Sequence, residues 1–154
     1  MIRQLLFIVA TIVVSMPAYS ACNIVNGVAY GDCSSVNVSS ASKGILRVTS
    51  YFSESGIIAG ANISKGGYLN LSGISNGNIS VSKGGRLVVS GIVNGVVSNS
   101  GGSVKIEGTV TSVIANSGLT TIAGIVSHVD GKGKIKYKTG AVINGKPKWF
   151  KVQH

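Results

Sequence analysis

Four carboxylates are all the acid the chain offers, Asp32, Glu54, Glu107 and Asp130, set against 14 lysines and arginines, two histidines and two cysteines. Cleaving or forming a glycosidic bond takes a pair of carboxyl groups about 5 to 9.5 Å apart, so an enzyme reading stands or falls on whether two of these four meet. His128 and Asp130 alternate beside Ser127, the elements of a hydrolytic site if a serine faced them across a strand. The segment Gly140-Ala-Val-Ile-Asn-Gly145-Lys146-Pro147 nearly spells a phosphate-binding loop. Its last position carries Pro147 instead of a hydroxyl residue, which removes both a magnesium ligand and a backbone donor. No group of His, Cys, Asp and Glu has metal-ligand spacing. These counts lead us to expect no catalytic residue, no metal and no cofactor.

Cys22 and Cys33 are the only cysteines, with neither a Cys-x-x-Cys spacing nor a nearby histidine to suggest redox or metal chemistry. In an oxidising compartment they are expected to pair, constraining the unfolded chain by about 2 to 3 kcal/mol on the chain-entropy account. The other residues suited to chemistry are basic. In Gly131-Lys-Gly-Lys-Ile-Lys-Tyr-Lys138, an extended chain puts Lys132, Lys134, Lys136 and Lys138 on one side and Ile135 and Tyr137 on the other. Lys146, Lys148 and Trp149 follow, with Phe150 and Lys151. Four like charges on one strand face repel each other, and an anionic partner relieves that repulsion. The simpler reading is that the lysines blunt an exposed sheet edge while the aromatic residues cap a core.

The elements that must position these side chains are written as a repeat. Ser64-Lys65-Gly66-Gly67 returns as Ser82-Lys83-Gly84-Gly85, as Asn99-Ser100-Gly101-Gly102 and more loosely as Asn116-Ser117-Gly118-Leu119. A second glycine series runs Gly73, Gly91, Gly108, Gly124 and Gly140. Between them lie alternating pairs: Leu69 and Leu71, Leu87 and Val89, Val104 and Ile106. Each reads as a short period-two strand. A period of 16 to 18 residues is too short for helical repeats and too rich in Gly, Val and Asn for helices.

The fold class expected is therefore all-β: a single right-handed parallel β-helix, or β-solenoid, of about six or seven rungs with two or three strands each. Glycines and the Asn-Gly pairs are expected to supply positive φ at the corners, and Asn76 and Asn94 to stack as a side-chain ladder. Lys43, Lys65 and Lys83 recur at equivalent corners. Extending the phase upstream aligns residues 42–48 with 82–89 and leaves residues 51–55 as a small insertion. Ile24-Val25-Asn26-Gly27-Val28 is identical to Ile92-Val93-Asn94-Gly95-Val96, which carries the repeat into the cysteine loop. On this register Glu54 and Glu107 lie three rungs, about 14 Å, apart, too far for a glycosidase pair.

The first twenty residues have the anatomy of a secretory signal: Arg3, an apolar run from Leu5 to Val14, then Pro17 and a small-residue site after Ser20. The run is about half what a membrane-spanning helix needs. Reading Cys22 as a lipidated residue meets Tyr19 where such signals want leucine. Removing residues 1–20 takes one charge, Arg3, from the formal net charge of +10. The organisation expected is a signal peptide over 1–20, a disulfide-closed cap over 21–35, solenoid repeats over 36–145 and a basic aromatic cap or tail over 146–154. Export to the periplasm or cell surface follows, with no integral membrane segment after cleavage.

The run of Leu69-Asn-Leu-Ser-Gly73, Gly91-Ile-Val-Asn-Gly95, Gly108-Thr-Val and Thr139-Gly-Ala-Val-Ile-Asn-Gly145 resembles the bactofilin type of polymer-forming β-helix over roughly residues 40–146. The Ser-Gly-Gly and Asn-Ser-Gly punctuation is also similar to passenger repeats of autotransporter adhesins. Both resemblances imply parallel β-helices that assemble or adhere. Bactofilins are typically cytoplasmic and polymerise through open ends, whereas this chain carries an export signal and a cysteine loop at its N-terminal end. The function expected is a non-enzymatic, exported binding module with a protein or anionic envelope glycan as partner, including an inhibitor or immunity-type role. A self-assembling scaffold or adhesive element is the alternative; a carbohydrate-active enzyme comes third, and nucleic acid is not expected.

Overall fold

The computed structural model describes residues 22–25, 28–30, 45–144 and 146–147, and among them it contains only strands, turns and bends. Alternation of apolar and polar residues between glycine corners gives strands two to four residues long, whose side chains point by turns inward and outward. They coil into a three-sided β-solenoid of about six turns. The first face stacks Leu46–Val48, Ala61–Ile63 and Ile79–Ser82 on residues 97–100, 112–115 and 128–130. The second stacks Tyr51–Glu54, Tyr68–Leu71 and Arg86–Val89 on residues 103–106 and 119–122 and on Lys134–Tyr137. The third stacks Ile57–Ile58 and Ile74–Ser75 on residues 92–93, 109–110 and 125–126 and on Val142–Ile143. From the fourth turn on, strands run through corners without a break, as Ile92–Ile106, Thr109–Ile122 and Ile125–Asp130.

On the second face the register Tyr51↔Tyr68↔Arg86↔Ser103↔Leu119↔Lys134 advances by 17, 18, 17, 16 and 15 residues, so the expected period shortens at the last turn. Inward residues form continuous columns. Phe52, Leu69, Leu87 and Val104 make one, and Leu71, Val89, Ile106 and Ile122 a second, all with essentially no exposure. Ile58, Val93, Val110 and Val126 line the inside of the third face, interrupted by Ser75, whose hydroxyl donates to the Gly77 carbonyl at 2.9 Å. Each fully buried aliphatic side chain contributes about 1.5–3 kcal/mol, and the columns together hold the turns in register.

The corners explain the two glycine series, each in its own way. At the first-to-second corner Gly67 and Gly85 donate to the carbonyls of Ser64 and Ser82 at 3.0 and 2.9 Å, closing β-turns. Gly84 inside the second of these has φ +77°, a conformation that a side chain resists. One turn later the closing acceptor is a side chain: buried Asn99 takes the Gly102 N–H on its Oδ1 at 2.8 Å and donates to the Thr120 hydroxyl at 3.0 Å. At the second-to-third corner glycine is required by space. A Cβ on Gly108 would lie 2.0 Å from the Gly91 carbonyl oxygen, and the same holds for Gly124 against Gly108.

Four sequence expectations need correction. Gly140 does not extend this second series: Val142 pairs with Ile125, which puts Ala141 at the corner, while Gly140 sits in the preceding turn at φ +93°. Gly77 and Gly95, in the Asn-Gly pairs, are absent from the positive-φ residues; they are glycine because a Cβ would strike the rung below, at 2.0 Å from the Ala59 oxygen for Gly77. Residues 51–55 are no insertion. Tyr51–Glu54 is the first regular strand of the second face, and Leu46–Val48 belongs to the first face, one side earlier than the upstream alignment put it. Finally, the copy of 92–96 at 24–28 does not keep the pairing of the repeat: Cys22–Val25 runs parallel beside Tyr51–Glu54 and pairs antiparallel with Val28–Tyr30. At the other end Lys146–Pro147 folds back antiparallel on Val142–Ile143. The signal segment, Asp32, Cys33 and hence the disulfide, Lys43, Lys148 and Trp149 lie outside the described residues.

Candidate functional site: a basic outer face

Outward positions of the second face make two columns that run parallel to the solenoid axis. One reads Tyr51, Tyr68, Arg86, Ser103, Leu119, Lys134; the other reads Ser53, Asn70, Val88, Lys105, Thr121, Lys136. Stacking at about 4.8 Å per turn brings together side chains that are 15 to 18 residues apart in sequence. Tyr51 and Tyr68 meet edge to face, with ring centroids 5.1 Å apart and planes at 88°. The Arg86 guanidinium lies over the Tyr68 ring, its Cζ 5.6 Å from the centroid, which fixes an otherwise flexible cation against the sheet. Above Arg86 the column drops to Ser103. That step opens a groove of about 370 Å³, in which the short side chains of Val88, Ser103 and Thr121 are flanked by the longer Tyr68, Arg86, Lys105 and Lys138.

The Lys-rich strand behaves as its alternation requires: Lys134 and Lys136 are exposed, and Ile135 and Tyr137 are half-buried against the core. Lys138 closes the groove, and Lys132 is exposed in the bend before the strand. Lys146 begins the short strand that pairs antiparallel with Val142–Ile143 at the end of the third face. Arg86, Lys105 and the two tyrosines are the members that sequence reasoning did not single out. Each is isolated in its own repeat, and only the register of the rungs brings them together. Among the described residues the one carboxylate beside the groove is Glu107, which pairs with Lys105 at 2.7 Å while both remain well exposed.

The remaining acids are dispersed. Asp130 is exposed and accepts the Gly131 N–H at 2.6 Å. His128 and Ser127 are exposed beside it, and no group of three His, Cys, Asp or Glu side chains comes together among the described residues. Glu54 points into the core with no exposure, so it and Glu107 do not share a face. In later turns the two N–H groups after the strand donate to the rung below, as Glu107 and Gly108 do to the Val89 carbonyl at 2.8 and 3.0 Å. In the first turn the Gly56 N–H donates to Glu54 Oε1 at 2.5 Å, and Oε2 has no partner. Burial pushes the Glu54 carboxyl above its ordinary value, against a smaller downward pull from the Gly56 and Ser55 N–H groups.

A raised folded-state pKa means that the native state holds its proton more tightly than the unfolded chain does. This contribution is full below the unfolded value of 4.5 and is lost as pH rises through the folded one. Glu54→Gln keeps an acceptor for Gly56 and removes the titration. The variant should match the wild type in thermal midpoint at pH 4 and exceed it at pH 8. Parallel midpoints across that range would show that Glu54 is solvated.

The third face differs sharply from the second. Its outward positions Ile57, Ile74, Ile92, Thr109, Ile125 and Val142 form one uncharged column, in which Ile57, Ile92 and Ile125 are 59, 42 and 50 % exposed. Beside it Asn94 donates from Nδ2 to Asn76 Oδ1 at 3.1 Å, the amide ladder expected from the repeat. No helix among the described residues is long and apolar enough to cross a membrane. No family model, curated protein or solved structure matches the chain.

Proposed function

We infer that this protein is an exported, non-enzymatic interaction module that holds an anionic partner on the second face of its solenoid. The observation that carries this reading is the convergence of Arg86, Lys105 and Lys138 on one groove, with Lys134 and Lys136 exposed on the same face and, among the described residues, one carboxylate beside it. The sheet fixes the spacing of these cations before any partner arrives, so little ordering is needed on binding. Export rests on the signal-like first twenty residues, and a processed product beginning at Ala21 would support it.

The test uses the full chain, expressed with its own leader and purified as the host processes it, on immobilised carboxymethyl-dextran and immobilised polyglutamate. Retention should fall steeply between about 50 and 500 mM salt, because exposed charges are screened within a few ångströms at the upper end. Replacing Lys105, Lys136 and Lys138 together by serine should weaken binding at least about tenfold, or 1.4 kcal/mol, with the thermal midpoint unchanged. Equal retention of the triple variant on both matrices would overturn the reading.

A second reading, lateral self-association, is favoured by the isoleucine column. On a chain of net charge +10, an uncharged apolar strip is where two copies approach with least repulsion. Sedimentation over a concentration series checks it. Mass rising with concentration in the wild type but not in Ile92→Lys supports it, and a monomer throughout removes it.

A further inference from the structure

Resting on that reading of the second face, we propose that its ligand is a linear anionic polysaccharide lying parallel to the solenoid axis. Three observations point to this ligand. The groove takes Tyr68, Arg86, Lys105, Thr121 and Lys138 from five successive turns, so it runs along the axis for four rung steps, about 19 Å. Lys105 and Lys136 occupy one outward column two turns apart, through Lys105↔Thr121↔Lys136, which sets the two cations at a root spacing of about 9.6 Å. That spacing is close to the length of a disaccharide in an extended chain, so in a polymer of acidic sugars the carboxylates of alternate residues each meet a cation. Between the cations stands the Thr121 hydroxyl, with that of Ser103 in the neighbouring column on the Lys105 strand, both suited to sugar hydroxyls.

The aromatic end supplies the third observation. Tyr51 is 45 % exposed and Tyr68 is buttressed by Arg86, so a half-open pair of rings stands where the groove begins. Tyrosine presents a rigid apolar body with a polar tip, the combination that packs on the C–H face of a pyranose and bonds its hydroxyls. An extended acidic peptide fits this face less well. Its side chains repeat on one side every 6.6 to 6.8 Å or so, out of step with cations about 9.6 Å apart. Each strand lining the groove from the second turn to the fifth is also hydrogen-bonded on both sides, so no edge is free for a peptide strand to join. Glu107 competes for Lys105, and a ligand carboxylate must displace it, which makes Glu107→Gln a gain-of-affinity variant.

Oligogalacturonates of two to eight residues and polyglutamate peptides of matched charge, titrated calorimetrically into the full chain, decide the matter. Affinity for the oligogalacturonates should rise about tenfold from dimer to tetramer and then level off, as the groove length of roughly 19 Å is filled. Tyr51→Ser, which leaves Arg86 seated on Tyr68, should cost about tenfold on the tetramer and leave polyglutamate binding unchanged, since only the sugar stacks. Glu107→Gln, which leaves both tyrosines in place, should tighten the tetramer. If polyglutamate bound as tightly as the tetramer and the tyrosine variant changed neither, the glycan would be wrong and the anionic face would stand. If neither bound, both would fall.

Discussion

Gly108→Ala should lower the thermal midpoint by about 10 °C or more, the loss expected for roughly 3 kcal/mol in a domain of this size. The added methyl would sit 2.0 Å from the Gly91 oxygen and 2.6–2.7 Å from the Ser90 carbonyl group. Both are backbone, so no rotamer change makes room. The oxygen in question already accepts the Thr109 N–H at 3.0 Å, and the Gly108 carbonyl accepts from Ile125 one turn above at 2.9 Å. Relief therefore requires separating two rungs at a point where three are tied together. Alanine also restricts the unfolded chain, a stabilising effect of about 0.4–1 kcal/mol that offsets only part of the strain. Thr109→Ser, at the exposed neighbouring position, is the control and should move the midpoint little. A Gly108→Ala midpoint within 2 °C or so of the wild type would mean that the corner carbonyls do not approach as described.

This corner shows why part of the fold was legible and part was not. The period and the inward alternation could be read because every rung repeats the same physical demand: Leu69, Leu87 and Val104 fill equivalent places in one core. The phase could not be carried to the ends by sequence likeness. Residues 24–28 repeat 92–96 letter for letter, yet 92–96 is held between rungs on both sides, whereas Cys22–Val25 has a neighbouring rung on one side and pairs with its own hairpin on the other. Pairing partners, not local preference, decide what such a segment becomes. Likewise Gly140 keeps the spacing of the series and loses its role, because the last second-to-third corner spans four residues, 138–141, where earlier turns use two, and Ala141 takes the place before the strand.

The basic site was half legible for a related reason. Lys134 and Lys136 advertise themselves within one strand, while Tyr51, Tyr68, Arg86 and Lys105 converge only through the stacking of separate turns. A column of outward residues can be written down once the register is known. An error of one face upstream, such as the one that turned residues 51–55 into an insertion, hides its first member, Tyr51.

The largest effect expected is that of Ile106→Asp, which should abolish cooperative unfolding at pH 7. Ile106 is fully buried between Val89 and Ile122 in the second inward column. Losing its side chain forfeits about 1.5–3 kcal/mol of burial, and an unpaired carboxylate in that place adds several more. Together these approach the whole of a typical domain's 5–15 kcal/mol. The comparison with Glu54 shows why one acid is tolerated and the other is not. Glu54 stands in the first turn, where its carboxylate accepts the Gly56 N–H, whereas around Ile106 the N–H groups of Glu107 and Gly108 are already committed to Val89. An aspartate there has no donor to recruit and lowers its cost only by taking up a proton. Folded-state signal should accordingly return in part as pH falls below about 5, the reverse of ordinary acid denaturation. Ile106→Val, which removes one methylene, should cost about 1 kcal/mol and keep a single sharp transition. A sharp transition for Ile106→Asp at pH 7 would place residue 106 outside the core and shift the register of the entire second face.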